Sequence, residues 1–467
     1  MQDAFAPRRS ESCSRLSAAH LRMDADQLVA QLAHAFGDRQ LFLVGGCLRD
    51  RLLGRPMADL DLATDAPPDE TRCRVEGLAD SVWLVGEKFG TVGVLKEGMK
   101  AEVTTFRADA YDGVSRKPEV TFGESIHGDL ARRDFSINAM AQNVHSGELL
   151  DPFSGQRDLG ERLVRFVGDA EVRIHEDPLR MLRAVRFCAQ LGFELDPAAA
   201  AAIAAAAGEL RRISRERVRD ELDAIMASPR PDEGLRLAIE LGLAEHFLPE
   251  LLRLHLPQPA RHHMKDVLDH TLDALRFTEP DKVLRYAALL HDIAKPETLS
   301  EDESGVHFYR HEQIGAERAS AILAGLRQPS AVVQQVEKLV RHHLRVTSYR
   351  SEWTDAAVRR LMYELGEQTD QAIALAQADV RASDPVDWPE FEARLGELRS
   401  RMRQIGEAAE IARMRPLLNG DEVMELLGIG PGPGVGEVLH FLLEEQLEGR
   451  VETREEAVEA VRGRFGL

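Results

Sequence analysis

The stretch VGGCLRDRLLGRPMADLDLAT (44–64) decides how the N-terminal third of this chain is read. It continues LFLVGG (41–46), an apolar run with the signature of a buried strand that stops at two glycines. Gly45 and Gly46 then open a helix, where backbone N–H groups point outward. Helix N-termini favour anions, and glycine lets a ligand approach the backbone closely. Arg49 lies about one turn into that helix, within reach of the same anion. Asp59 and Asp61 follow on a strand whose period of two puts both carboxylates on one face and Leu60 and Leu62 on the other. Carboxylates at that spacing can hold Mg²⁺ beside a phosphate chain. A glycine pair after a strand is usually a turn, and an isolated Asp-x-Asp is common on solvated strands. Together, in this order and this close, they point to a triphosphate site.

Working outward, Asp24 or Asp26 is placed to cap a helix through Phe36. From 41 to about 155 the chain alternates strand-like runs with turns: 59–64, 81–86, 91–96 and 101–107. Helical signals there are few, at 47–54 and 132–144. After 160 the strand signals stop and amphipathic helices run to the C-terminus. The alanines from 198 to 207 are a strong helix former and nothing more. LPQPARH (256–262) reads as a linker, and PGPG (431–434) as a turn between two helices. The fold class is α+β: a head with a small mixed β-sheet, then an all-α remainder. The expected divisions are a disordered arm at 1–24, with Met23 as an alternative start, a head at 25–155, a helical neck at 156–255, a His-rich helical domain at 256–385 and a helical tail at 386–467.

The chain has 467 residues, a formal net charge of −20 and 44% hydrophobic residues. That balance excludes a generally basic nucleic-acid binder but not a local basic groove. Cations comprise 51 Arg against 8 Lys, spread along the whole chain, which reflects codon usage more than phosphate binding. The neck is balanced, with 13 Arg against 13 acidic residues over 157–230. An RNA groove there would depend on how Arg211, Arg212, Arg215, Arg217 and Arg219 are arranged. Cys13, Cys47, Cys73 and Cys188 are scattered and lack zinc spacing, so a disulfide framework is not expected. No run reaches a membrane span and no secretory h-region opens the chain, so the expected setting is cytoplasmic.

The first motif resembles that of the class II tRNA nucleotidyltransferases, the CCA-adding enzymes, and their bacterial poly(A) polymerase relatives. Gly45, Gly46, Arg49, Asp50, Leu52, Leu53, Gly54, Asp59 and Asp61 match it. LARRDFSINAMA (130–141) resembles the family's next motif, and the resemblance implies triphosphate and ribose binding by Arg133, Asp134 and Asn138. GEKFGTV (86–92) is closer to the CCA-adding form than to poly(A) polymerase. Glu102, in AEVTTFR (101–107), is a candidate third carboxylate. HEDPLRMLRAVRFCAQLGFELD (175–196) reads as one helix, with Asp177, Arg180, Arg183 and Arg186 recurring along one side. A carboxylate accepts from an exocyclic amine and a guanidinium donates to ring nitrogen and carbonyl. Asp177 and Arg180 can therefore read the pairing edge of C or A. Glu176, Asp177 and Arg180 match the motif credited with that role, while an ordinary helix ion pair is the plainer reading of such a pair in isolation.

Further on, VLDHTLDAL (267–275) and ALLHDIAKPET (288–298) supply His270, His291 and Asp292, and ALAQADVRAS (374–383) supplies Asp379. This order resembles the HD superfamily of metal-dependent phosphohydrolases. Imidazole with carboxylate suits Mn²⁺, Ni²⁺ or Co²⁺. His311, His342 and His343 are candidate further ligands or phosphate contacts. The resemblances imply an enzyme that adds CCA to tRNA 3′ ends from CTP and ATP, using Mg²⁺ at Asp59 and Asp61, with a possible hydrolase in the HD domain. The competing readings are an A-adding or CC-adding enzyme, a poly(A) polymerase, and a phosphohydrolase with a non-catalytic RNA-binding head. Residues 108–120 keep a loop of the length found in full CCA- or A-adding enzymes, which weighs against CC-only addition.

Overall fold

The computed structural model describes residues 24–466 except 58, 86–89, 111–118, 123–124, 257–265, 304, 384–387, 407–409 and 412. The N-terminal arm, the 256–262 linker, and most of the 86–92 and 108–120 motifs lie largely outside the described residues. The chain divides into two compact units, one ending at Asp169 and the other running from Ala170.

The first unit opens with α1 (Ala25–Ala35), capped by Asp24 as its sequence predicts. A seven-stranded mixed sheet follows, with order β3-β4-β5-β2-β1-β8-β9. Its strands are β1 (Leu41–Val44), β2 (Asp59–Thr64), β3 (Ser81–Val85), β4 (Thr91–Lys96), β5 (Met99–Thr105), β8 (Ala141–Asn143) and β9 (Leu149–Leu150); a separate ribbon pairs β6 (Arg107–Ala110) with β7 (Glu119–Phe122). β2 runs parallel to β5 and antiparallel to β1. Helices α2 (Gly45–Leu52), α3 (Pro68–Glu76), α4 (Ile126–Ala131) and α5 (Gly155–Glu161) complete the unit. Phe42, Val44, Ala63, Phe106, Ile126, Leu130 and Ala141 form one of its apolar clusters.

The helix expected over 132–144 is absent. A single 3₁₀ turn at Ser136–Asn138 leads into β8, which pairs with β1. Phe135, Ile137, Ala139, Met140 and Ala141 are all buried. A short apolar run of this kind suits either element, and pairing with β1 satisfies the backbone that a helix would have bonded internally.

The second unit is almost wholly helical. Its first helices are α6 (Ala170–Glu176), α7 (Arg180–Leu191), α8 (Pro197–Ala206), α9 (Arg215–Met226), α10 (Pro231–Glu240) and α11 (Ala244–Phe247). The 175–196 segment is therefore two helices and not one. Pro178 disfavours the α conformation at Asp177, which falls at the break, and Gly192 ends α7 at φ 70°. Next come α12 (Val267–Arg276), α13 (Lys282–Leu290), α14 (Lys295–Thr298), α15 (His311–Gly325), α16 (Ser330–Thr347), α17 (Asp355–Leu365), α18 (Thr369–Ser383) and α19 (Trp388–Ile405). A hairpin of Leu299–Asp302 with Gly305–Phe308 is a strand pair that the sequence reading did not anticipate. Three C-terminal helices pack around Leu418, Val423, Val438, Leu442, Val451, Ala457 and Val461. Among the described residues, no helix is long and apolar enough to cross a membrane.

Candidate active site

In the first unit, Leu60 and Leu62 are buried, and Asp59 and Asp61 belong to the other face of β2. Register pairs Asp59 with Lys100 and Asp61 with Glu102 on β5. Glu102 thus joins the two aspartates, and its Oε1 lies 2.7 Å from Lys100 Nζ. The Asp61 carboxyl has a raised pKa, first because surrounding protein displaces its water, then because Glu102 and Asp59 are nearby; Arg133 and Lys100 oppose the rise. Cys47 fixes the Asp61 backbone from beneath. Its Sγ donates to Val44 O at 3.0 Å and accepts from Asp61 N at 3.2 Å. Burial pushes the Cys47 thiol up to about 12, so it stays neutral.

Gly45, at the start of α2, has φ 71°. A Cβ there would meet Arg133 Nη1 at 2.9 Å and Asp61 Oδ2 at 3.4 Å. The glycine turn, the Arg133 guanidinium and the Asp61 carboxylate thus meet at one point. Arg133 is held by Asp129, its Nη2 donating to Oδ2 at 3.0 Å, and Arg132 Nη2 donates to the other oxygen at 2.6 Å. Burial works against an ionised Asp129, but Arg133 and Arg132 outweigh it and hold the carboxyl below its ordinary pKa. Sequence reasoning missed Asp129, although its place three and four residues before the Arg pair was a visible signal. Arg49 is only 4% exposed. It donates to Asn138 Oδ1 at 2.9 Å and to both Asp50 oxygens at 3.0 Å, which ties α2 to the Ser136–Asn138 turn. Asp134 accepts from Phe135 N at 2.9 Å and from Asn138 Nδ2 at 3.5 Å.

Hard oxygen donors on one strand face, where burial and then the neighbouring carboxylates raise the Asp61 pKa, fit a divalent cation such as Mg²⁺. The glycine turn and Arg133 fit the phosphates beside it. Gly45→Ala tests this packing. A side chain in left-handed backbone costs about 1–2 kcal/mol, and the Cβ displaces Arg133. The expected result in steady-state kinetics is a roughly tenfold rise in KM for nucleoside triphosphate, the scale of one charged hydrogen bond.

In the second unit, Asp177 Oδ1 accepts from Leu179 N at 3.2 Å. Its Oδ2 accepts from Arg217 Nη2 on α9 at 2.7 Å. Arg180 Nη1 donates to Glu176 Oε2 at 2.5 Å and to Arg173 O at 3.0 Å. Arg186 Nε lies 3.1 Å and Arg183 Nη1 3.7 Å from the Glu221 carboxylate, so both pair with α9. Arg186 also stacks on Phe187 at 4.6 Å. Asp177 lies at the bend before α7 and not on it; Asp177, Arg183 and Arg186 pair with α9, whereas Arg180 bonds back to α6.

The same unit gathers His270 from α12, His291 and Asp292 at the end of α13, and Asp379 from α18. His270 and His291 bring their Nε2 atoms to 3.3 Å. Asp379 Oδ1 is 3.1 Å from His270 Nε2, and Asp292 Oδ2 is 3.2 Å from His291 Nε2. Two of the further histidines join them. His311 and His343 approach to 3.3 Å through Nε2, and Asp292 Oδ1 is 3.5 Å from His311. His342 points elsewhere, 3.9 Å from Glu364. His291, His311 and His343 each place Nδ1 at 2.7–2.8 Å from a carbonyl three residues earlier. An Nδ1–H donating to that carbonyl leaves the Nε2 lone pair aimed inward, as metal-ligating histidines require. Ligand atoms about 3 Å apart suit metal bonds of about 2.0–2.2 Å. Two triads within ligand reach, His270/His291/Asp292 and Asp292/His311/His343, share the one carboxylate. Burial works against a charged His291, but Asp292 and Asp379 raise its pKa to about 9. Burial and the charge on His291 lower His343 to about 4. The donor set fits a divalent transition ion, whose charge would replace that proton.

The family of the Poly A polymerase head domain matches residues 41–165. The probable RNA- and SrmB-binding site of polymerase A matches 192–254, and the putative tRNA nucleotidyltransferase domain 2 matches 300–461. The chain is 35% identical to the A-adding tRNA nucleotidyltransferase of Deinococcus radiodurans, over 89% of this chain and 93% of that one. It is 35% identical to the CC-adding tRNA nucleotidyltransferase of Thermus thermophilus, over 90% and 92%. With the CCA-adding enzyme of Geobacillus stearothermophilus the identity is 31%, over 90% and 91%. Among solved structures, the Bacillus stearothermophilus CCA-adding enzyme in complex with CTP superposes with a TM-score of 0.69 at 28% identity, covering 95% of this chain and 99% of that one.

Proposed function

This chain belongs to the class II tRNA nucleotidyltransferase family, and from that premise we propose that it adds C, C and A in turn to tRNA 3′ ends, drawing on CTP and ATP. The observation that carries the reading is the meeting of Gly45, Arg133 and Asp61 at one point, beside Asp59 and Glu102. In each cycle the tRNA 3′-hydroxyl oxygen bonds to the α-phosphorus, the bond to the bridging oxygen breaks, and pyrophosphate leaves. Divalent ions on Asp59 and Asp61 would supply Lewis-acid polarisation of the phosphate and activation of the hydroxyl. The backbone of Gly45 and Gly46, with Arg133, binds the triphosphate and neutralises the leaving charge. Asp129 holds Arg133 in place. Arg49 fixes Asn138, and Asp134 with Asn138 shapes the ribose side. Asp177 and Arg180 read the base edge, with Glu176 orienting Arg180; Arg183 and Arg186 line the same row.

The neck (156–255) would carry RNA and base recognition, and residues 256–385 the HD domain. A second activity there, hydrolysis of a phosphate ester, is favoured by one observation: His270, His291, His311 and His343 converge through Nε2 around Asp292. Asp379 completes the set. Cys47, Cys73 and Cys188 are free thiols, which suits a reducing cytoplasm.

Relatives with A-adding, CC-adding and CCA-adding names match at similar identity, so the test must separate the three. Purified protein is given tRNA ending before CCA, after C, and after CC. Extension of all three to the full CCA end is the expected result. Extension only of the last, or arrest at CC, assigns the chain to an A-adding or CC-adding reaction instead.

A further inference from the structure

We propose that the Trp83 indole is the stacking platform for the terminal base of the tRNA acceptor end, the nucleotide whose 3′-hydroxyl attacks. The inference rests on the Asp59/Asp61 reading of the first unit and names the surface that seats the second substrate beside it. Register places Trp83 of β3 opposite Gly93 of β4, Gly93 opposite Glu102 of β5, and Glu102 opposite Asp61 of β2. Directly opposed residues project from the same face of a sheet, so these four form one row across it. The reverse face is the packed one: Leu60, Leu62, Val92, Val94, Ala101 and Val103 alternate with the row and are all buried. Trp83 therefore belongs to the carboxylate face and not to the core. It is half-buried, which leaves part of the indole open to a ligand. A Cβ on Gly93 would fall within the Trp83 ring, 2.3 Å from Cε2 and 2.6 Å from Cζ2 and Nε1. The indole thus lies along the sheet over Gly93, one strand from Glu102. At about 4.8 Å per strand, that brings a flat aromatic to the edge of the carboxylate cluster.

Strand order identifies the occupant. Gly45 follows directly on β1, with Arg133 beside it, so the phosphates they bind lie on the β1 side of Asp61. β5, β4 and β3 lie in turn on the other side. Attacking and leaving oxygens stand in line through the α-phosphorus. A pyrophosphate that departs toward β1 therefore needs a hydroxyl that arrives from β5, and the nucleotide carrying it extends over β4 onto Trp83. Stacking suits this substrate. The terminal base is the acceptor end's own in the first addition and cytosine in the next two, and an aromatic face accepts any base. A hydrogen-bonding pocket would reject the bases it does not match. A cross-strand aromatic also covers a bare glycine in a sheet. That role by itself would leave Trp83 indifferent to the base at the tRNA end, which separates the two explanations.

The test uses Trp83→Leu, Trp83→Phe and Asp61→Asn in the full chain. The substrates are tRNA ending after the first C, with CTP, and after CC, with ATP, each with its terminal base present or removed. For the wild type, removing the base should lower kcat/KM for tRNA about tenfold, the scale of one base–aromatic stack. Trp83→Leu still covers Gly93 but offers no aromatic face. It should lose about tenfold on intact tRNA and little more when the base is removed, with KM for the triphosphate at its wild-type value. Phenylalanine, a smaller ring, should recover part of the loss and keep the dependence on the base. The inference is overturned if the wild type extends both forms of tRNA equally well, a comparison that needs no variant. It is equally overturned if Trp83→Leu loses the same factor on both forms, since Trp83 then acts only through the sheet. If Asp61→Asn extends tRNA normally, the site reading fails and the inference falls with it. If Asp61→Asn is inactive while Trp83→Leu matches the wild type on every substrate, the inference alone fails.

Discussion

Asp61→Asn and Asp59→Asn should each reduce nucleotide addition by roughly a thousandfold or more, the scale of losing a group that acts in the transition state. Folding should survive, because Leu60 and Leu62 carry the packing of β2 and the aspartates do not. Asp61 adds a sharper expectation. Its folded-state pKa is raised, so the folded state holds a proton that the unfolded state has already lost, and stability declines as pH rises through that range. A neutral amide removes the penalty. Asp61→Asn should therefore melt at the same temperature as wild type or higher at pH 7, while losing catalysis. A variant with normal CTP incorporation would remove Asp61 from the mechanism. A variant with lost activity and a lowered Tm would recast it as a structural residue.

His291→Ala should separate the two candidate centres. The change removes one imidazole, 3.2 Å from Asp292, while Lys295 stays 2.6 Å from that carboxylate. Stoichiometric binding of Ni²⁺ or Mn²⁺ should fall about 10–100-fold or more. Any Mn²⁺- or Ni²⁺-stimulated hydrolysis of a 2′,3′-cyclic nucleotide should go with it. CCA addition with Mg²⁺ should persist, because Asp59 and Asp61 use oxygen donors on a separate sheet. Metal binding and both activities are measured on one preparation, with His343→Gln as a second variant should His291→Ala fail to fold. Wild-type protein that binds no transition ion would make the histidine cluster a structural relic. Loss of CCA addition in a folded variant would show the centres to be coupled.

What the sequence revealed, and what it hid, follows from the range of the forces involved. The Asp59/Asp61 face was legible because strand alternation is local, and Leu60 and Leu62 mark the buried side. The opening of α2 at Gly45 was legible for the same reason. The burial of Arg49 was not, since it depends on Asn138, 89 residues away in the chain. The run from Phe135 to Ala141 carries apolar residues that serve a helix or a strand, and only the free edge of β1 decides between them. Asp177 was misplaced onto a helix although Pro178 signalled the break. The distinction between His342 and His343 was available in the pattern. Val336, Val340 and His343 share the buried face of α16, and His342 is out of phase with them. The Arg217 to Asp177 contact spans 40 residues and left no local trace.

An ordered C, C, A addition at the Asp59/Asp61 site, directed by protein side chains with no nucleic-acid template, would leave one distinctive product. The most direct measurement is 3′-end sequencing of a tRNA lacking CCA after incubation with the wild-type chain, Mg²⁺ and all four nucleoside triphosphates. The expected product ends in CCA and grows no further. A homopolymeric A tail, addition that ignores base identity, or an unextended tRNA beside hydrolysed triphosphate would contradict it.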